Sequence, residues 1–130
     1  MDSSDGPPID AATVARQLAA SLRERGQDYA LGGAIALGYW ATPRGTVDVD
    51  LTLFVAPEKP SECLRLLQEV GCQLERSPAL FSLQEHGYCQ ASFRTLRVDV
   101  FLPTLPFYET ARKRRREVAL GGQPIIIWDA

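Results

Sequence analysis

Val47-Asp48-Val49-Asp50-Leu51-Thr52-Leu53-Phe54-Val55 is the strongest strand signal in the chain, because Val47, Val49, Leu51, Leu53 and Val55 alternate with Asp48, Asp50, Thr52 and Phe54. Side chains alternate faces along a strand, so Asp48 and Asp50 project on the same side, opposite the apolar set. Two carboxylates side by side repel, and that placement makes sense if a cation sits between them. Hard oxygen donors favour Mg²⁺ or Mn²⁺ over zinc. A third carboxylate, Asp99, interrupts the apolar run Arg97-Val98-Asp99-Val100-Phe101, which reads as a strand able to lie beside the first. Three carboxylates on adjacent strands can hold two divalent ions, which clamp the attacking and leaving oxygens of a phosphoryl displacement. The competing reading is a solvated strand face, since short D-x-D motifs are frequent by chance.

Outward from these strands the chain reads as mixed helices and strands, an α+β or α/β pattern. Residues 1–8 combine Ser, Asp, Gly and a Pro-Pro pair and are expected to form a flexible leader to one domain spanning 9–130. Apolar positions at helical spacing predict a helix over 9–25 stopped by Gly26. Tyr29, Ala30 and Leu31 form a short strand running into Gly32 and Gly33, and 34–40 read as a buried helix broken at Pro43, Arg44 and Gly45. Ser61 is the expected N-cap of a helix over 62–70, with Gly71 as its stop. His86-Gly87 reads as a turn between strand segments at 80–83 and 88–94, and 96–102 as a further strand. The stretch 105–120 is expected to be a very basic helix ended by Gly121-Gly122, followed by a last strand over 124–128.

The 130 residues are 45% hydrophobic and 23% charged, with 14 Lys and Arg against 16 Asp and Glu. These are ordinary values for a globular domain able to bury its own core. A net charge of −2 and a pI near 5.4 exclude a surface that wraps nucleic acid as a whole, so polyanion contact must be local. Arg112-Lys113-Arg114-Arg115-Arg116 is the candidate for such contact, against its reading as a solvated helix end favoured by the helix dipole. Cys63, Cys72 and Cys89 are odd in number, form no C-x-x-C, and read as small buried hydrophobes in a reducing cytoplasm. His86 has no neighbouring Cys or second His to make it a metal ligand, and Tyr39, Trp40, Phe101 and Phe107 are expected in the core. No apolar run approaches 18 residues, so no membrane partner is expected.

The run Leu31-Gly32-Gly33-Ala34, then Arg44-Gly45-Thr46-Val47-Asp48-Val49-Asp50-Leu51, then Val98-Asp99-Val100, resembles the nucleotidyltransferase superfamily of polymerase-beta-like folds. In that family a Gly pair ending the first strand is followed by Asp-apolar-Asp and by a third Asp on a later strand. The Arg-x-Thr-x-Asp-x-Asp spelling looks most like the branch of bacterial abortive-infection toxin-type nucleotidyltransferases. The resemblance implies an α+β fold, a mixed β-sheet with helices packed on it, and Mg²⁺- or Mn²⁺-dependent transfer of a nucleoside monophosphate from a triphosphate such as ATP. The acceptor would be a hydroxyl on RNA, a protein or a small molecule, in the setting of a toxin–antitoxin or phage-defence pair. It implies that Asp48, Asp50 and Asp99 hold the metal and carry catalysis. Gly32 and Gly33 would let the backbone approach the nucleotide, while Arg44 and Thr46 would contact phosphate or fix the loop. Ala34 departs from the family's Ser after the Gly pair and leaves triphosphate binding weaker or supported from elsewhere. The D-x-D-x-T of dehalogenase-like phosphatases also fits Asp48 to Thr52, but there the apolar strand precedes the first Asp, whereas here it follows; the D-x-D of metal-dependent glycosyltransferases fails on the same ground. Family members continue past the last strand into a long helix, so the expectation is either a catalytic domain that lacks this C-terminal helical part or a minimal enzyme that works with a partner chain or as a homo-oligomer. The rival to the enzyme is a nucleotide- or protein-binding module that keeps the carboxylates without turnover.

Overall fold

The computed structural model describes residues 11–32, 48–56, 58–103, 110 and 113–128. In chain order the elements are α1 (Ala11–Glu24), β1 (Tyr29–Gly32), β2 (Val49–Leu53), α2 (Pro60–Glu69), α3 (Arg76–His86), β3 (Tyr88–Phe93), β4 (Leu96–Phe101), β5 (Arg115–Leu120) and β6 (Gln123–Trp128). The strands make one six-stranded sheet in the order β3-β4-β2-β1-β6-β5. Strand β2 runs antiparallel to β1 and parallel to β4, and β1 runs parallel to β6. The sheet is therefore mixed, and with helices packed on it the fold is α+β, as the sequence implies.

Period two decides which face is dry. Val49, Leu51 and Leu53 of β2, Val98 and Val100 of β4 and Leu31 of β1 are all fully buried in a single core. Helix α1 covers this face with Val14, Ala15, Leu18, Ala19 and Leu22, the i, i+3, i+4 stripe that makes a helix one-sided. Cys63, Leu64 and Leu67 of α2 and Ala79 and Leu83 of α3 complete the layer. The three cysteines are free and buried, as expected, and burial pushes the Cys63 and Cys72 thiols up to about 12, out of reach of thiolate chemistry at neutral pH.

Several elements differ from the sequence reading. Helix α2 starts at Pro60, not after a Ser61 cap: proline's fixed φ suits the first helical position, and Lys59 takes the cap position without a side-chain hydrogen bond. Residues 80–83 are helical rather than extended. Helix α3 buries only Ala79 and Leu83 and leaves Phe81 61% exposed, so its apolar residues form no stripe. Gly87, in the left-handed region at φ 67°, closes α3 before β3 begins.

The largest correction falls on 115–120, which is strand β5 and not the end of a basic helix. Gly121 and Gly122 are the two-residue turn of a β-hairpin, with φ of 58° and 84°, and Leu120 pairs directly with Gln123. Positive φ at both central positions is what a type I′ turn needs, and its twist matches that of the flanking strands. The readings at 34–40, 43–47, 105–109 and 111–112 lie outside the described residues.

Candidate active site

Strand register brings the carboxylates together. Asp50 of β2 stands directly beside Asp99 of β4, between the pairs Val49 with Val98 and Leu51 with Val100. The buried valines and Leu51 point into the core, so Asp50 and Asp99 emerge on the opposite face. Asp48, two residues before Asp50, is half-exposed at the start of the strand. Burial pushes the Asp50 carboxyl above its ordinary value, and the neighbouring charges of Asp99 and Asp48 push it further the same way.

The site also contains a cation. Arg97, two residues before Asp99 on β4, places Nε 2.8 Å from Asp99 Oδ1 and 3.8 Å from Asp48 Oδ2. Tyr88 Oη donates to the same Asp99 oxygen at 3.1 Å, accepts from Gln90 Nε2 at 2.9 Å, and accepts from Arg97 Nη2 at 3.3 Å. Hydrogen bonding to Asp99 and Tyr88 raises the Arg97 pKa above an already high value, so the guanidinium is charged throughout the working pH range. Arg97, Tyr88 and Gln90 did not emerge from the sequence as site residues. The available signal was spacing: Arg97 shares a strand face with Asp99, and Tyr88 with Gln90.

The donor set suits a hard divalent ion in kind, being three carboxylates on neighbouring strands. It does not suit one in arrangement. Among the described residues no three carboxylate, imidazole or thiol groups stand close enough to hold a metal, and Arg97 bridges the outer pair. The imidazole of His86, at the end of α3, joins no such group.

Gly32 ends β1 opposite Asp50. A methyl group at Gly32 would lie 3.0 Å from Trp128 Cδ1 and 3.9 Å from Asp50 Cβ, so the glycine lets the last strand's indole pass close to the carboxylates. Trp128 is thus a further residue at the site's edge, packed 5.9 Å from the Phe54 ring. Gly33, Arg44 and Thr46 lie outside the described residues. Phe101 is 39% exposed and stacks on Tyr88 at 5.1 Å on the carboxylate face, which corrects its expected place in the core; Tyr39, Trp40 and Phe107 lie outside the described residues. The basic run divides as well. Lys113, Arg114 and Arg116 are exposed, but Arg115 turns inward, donating to the Tyr29 carbonyl at 3.0 Å and lying 5.0 Å over the Phe54 ring. Arg115 and Arg116 belong to strand β5, which corrects the helix-end reading for these two, and Arg112 lies outside the described residues.

No protein-family model matches the chain, and no curated protein matches it in sequence. Solved structures do. An antigenic nucleotidyltransferase-like protein from Paracoccidioides brasiliensis is similar over 94% of this chain and 63% of its own, at 22% identity and a TM-score of 0.54. A putative nucleotidyltransferase from Thermotoga maritima is similar over 89% of this chain and 75% of its own, at 14% identity and a TM-score of 0.58. The antibiotic-resistance factor ANT(2'')-Ia is similar over 90% of this chain and 64% of its own, at 16% identity and a TM-score of 0.57. The chain therefore spans less than two thirds of the length of the first and third. Among the described residues no helix is long and apolar enough to cross a membrane. Likeness across nearly the whole chain, together with a mixed sheet that sets a D-x-D strand beside an Asp-bearing one, gives this protein a nucleotidyltransferase-like fold.

Proposed function

We propose that the chain is the catalytic core of a nucleotidyltransferase, which moves a nucleoside monophosphate from a triphosphate to a hydroxyl and releases pyrophosphate. One observation carries the reading: Asp50 and Asp99 are direct neighbours on parallel strands, on the face away from the helices, with Asp48 two residues before Asp50. The acceptor oxygen attacks the α-phosphorus, the bond from that phosphorus to the bridging oxygen of the β-phosphate breaks, and the hydroxyl proton goes to a carboxylate. Among the described residues, Tyr88 and Arg97 both donate to Asp99 Oδ1, which leaves Oδ2 to take that proton. Tyr88 and Arg97 fix the plane of the Asp99 carboxylate, so its base oxygen is held in one direction. The motif spelling carries the further proposal that Mg²⁺ or Mn²⁺ serves Asp48, Asp50 and Asp99; as they stand, with Arg97 across Asp48 and Asp99, the three do not form a metal-holding group, and no step is drawn through the ion. Gly32, with Gly33, Arg44 and Thr46 following it in the chain, would receive the triphosphate.

The acceptor is a hydroxyl on RNA, a protein or a small molecule, and a partner chain or second copy would complete its site. The motif spelling carries the further proposal that the reaction serves a toxin–antitoxin or phage-defence pair in the cytoplasm. The test is pyrophosphate release with each nucleoside triphosphate and Mg²⁺, followed alongside thermal stability. Release is expected, and both Asp50→Asn and Asp99→Asn should abolish it while circular dichroism stays unchanged; release retained in either variant would remove that residue from the site. The Arg97 bridge favours a second reading, a binding module, for which nucleotide would stabilise the fold without any pyrophosphate appearing.

A further inference from the structure

Helix α1 and the β5–β6 hairpin border a cavity of about 370 Å³, lined by Arg16, Gln17 and Ala20 of the helix and by Gly121, Gly122 and Gln123 at the hairpin turn. It is separate from the candidate active site: Gln123 begins β6 and Trp128 ends it, and that length of strand puts about 17 Å between the two. The described residues that line the cavity supply one guanidinium and no carboxylate. Arg16 Nε is shut off from solvent without a hydrogen-bond partner, and the side chain makes no ion pair with a described residue. The turn is shaped to this guanidinium. A Cβ at Gly121 would stand 2.5 Å from Arg16 Nη1 and 3.4 Å from its Cζ, so only a bare glycine lets the cation lie against the backbone there. Neither glycine's N–H donates to a described backbone carbonyl.

We propose that this cavity is an anion site that takes a phosphate group, with the Arg16 guanidinium as its charge and the N–H groups of Gly121 and Gly122 as its further donors. A charged donor held away from water without an acceptor is costly, and an oxyanion that accepts from Nε removes that cost. The guanidinium fork matches two oxygens of a phosphate or of a carboxylate. The turn decides between them. A carboxylate has both of its oxygens taken by the fork, whereas a phosphate keeps further oxygens for the two peptide N–H groups beside it. The cavity leaves room around a single phosphate, so a phosphate ester fits it as well as the free ion does. An arginine that served only to pack α1 on the hairpin would bind no anion.

The experiment titrates the isotope-labelled full chain with inorganic phosphate at constant ionic strength, following the Arg16 Nε–H and the Gly121 and Gly122 amides by two-dimensional NMR. Saturable shifts of all three are expected, with a Kd on the order of 1 mM. Arg16→Gln is expected to weaken binding about tenfold, the equivalent of about 1.4 kcal/mol. Absence of shifts at these three groups overturns the proposal, and that readout needs no variant to fold. Binding by a folded Arg16→Gln as tight as that of the unsubstituted chain overturns it as well. Acetate is expected to bind about tenfold more weakly than phosphate, and equal binding overturns the assignment to phosphate. Methyl phosphate, titrated in parallel, separates the two sources of the group: tighter binding than inorganic phosphate supports the site as one for an ester, weaker binding as one for the free ion.

Discussion

The two faces of strands β2 and β4 share a backbone and differ in everything else. One carries Val49, Leu51, Leu53, Val98 and Val100, all at zero exposure beneath α1, α2 and α3. The other carries Asp48, Asp50, Arg97, Asp99 and Phe101, none of them fully buried. Residues one position apart thus have opposite duties. The inner face gains stability from each methyl removed from water. The outer face gathers like charges at a cost, visible in the raised pKa of Asp50.

Substitutions on the two faces should separate these duties. The largest effect is expected from Leu51→Ala on the inner face: about 2–5 kcal/mol lost, read as a lower midpoint in urea unfolding, because Leu51 is fully buried and its neighbours cannot collapse into the void. A loss below about 1 kcal/mol would show that the inner face is not the closely packed layer described. Phe101→Ala on the outer face should cost less, about 1 kcal/mol, since it removes a half-exposed ring and its contact with Tyr88. The smallest change is expected from Asp50→Asn, and it has the opposite sign. A carboxyl whose folded pKa lies above its unfolded value stabilises the fold below the ordinary Asp range and loses that contribution as pH rises through the folded value. Asparagine has no such titration. Melting of the two proteins in chelator from about pH 3 to about pH 7 should therefore show Asp50→Asn gaining on the unsubstituted chain as pH rises, with a plateau at the top. A constant difference across that range would mean that Asp50 feels no excess negative field.

How far the chain could be read depended on how local the deciding physics was. Strands β2 and β4 were legible because alternation is written residue by residue, and α1 because Val14, Leu18 and Leu22 recur on one stripe. Helix α3 was not legible, since its burial comes from docking two residues, Ala79 and Leu83, on β3 rather than from a stripe of its own. Strand β5 was hidden because a basic run before Gly-Gly fits a helix end and a hairpin arm equally well. The choice is made by β6, whose Ile125 and Ile127 bury against the core and whose backbone pairs with Val118 and Arg116.

The candidate site divides in the same way. Its carboxylates were legible from spacing, because side-chain direction along a strand is a local property: Asp48 and Asp50 had to share a face wherever the strand was placed. The identity of the third carboxylate's neighbour was not local. That Asp99 lies beside Asp50 rather than Asp48 depends on a parallel register set by Val98 and Val100 packing with Val49 and Leu51. The clasp of Arg97 and Tyr88 on Asp99, with Gln90 donating to Tyr88, needs β3 folded back on β4 through the tight turn at Arg94 and Thr95, and Trp128 reaches Gly32 only because β6 joins β1 from the far end of the chain. The sequence by itself determined which residues face together along each strand; the tertiary structure alone decided which strands are neighbours and in what register, because that choice is made by core packing summed over residues far apart in the chain.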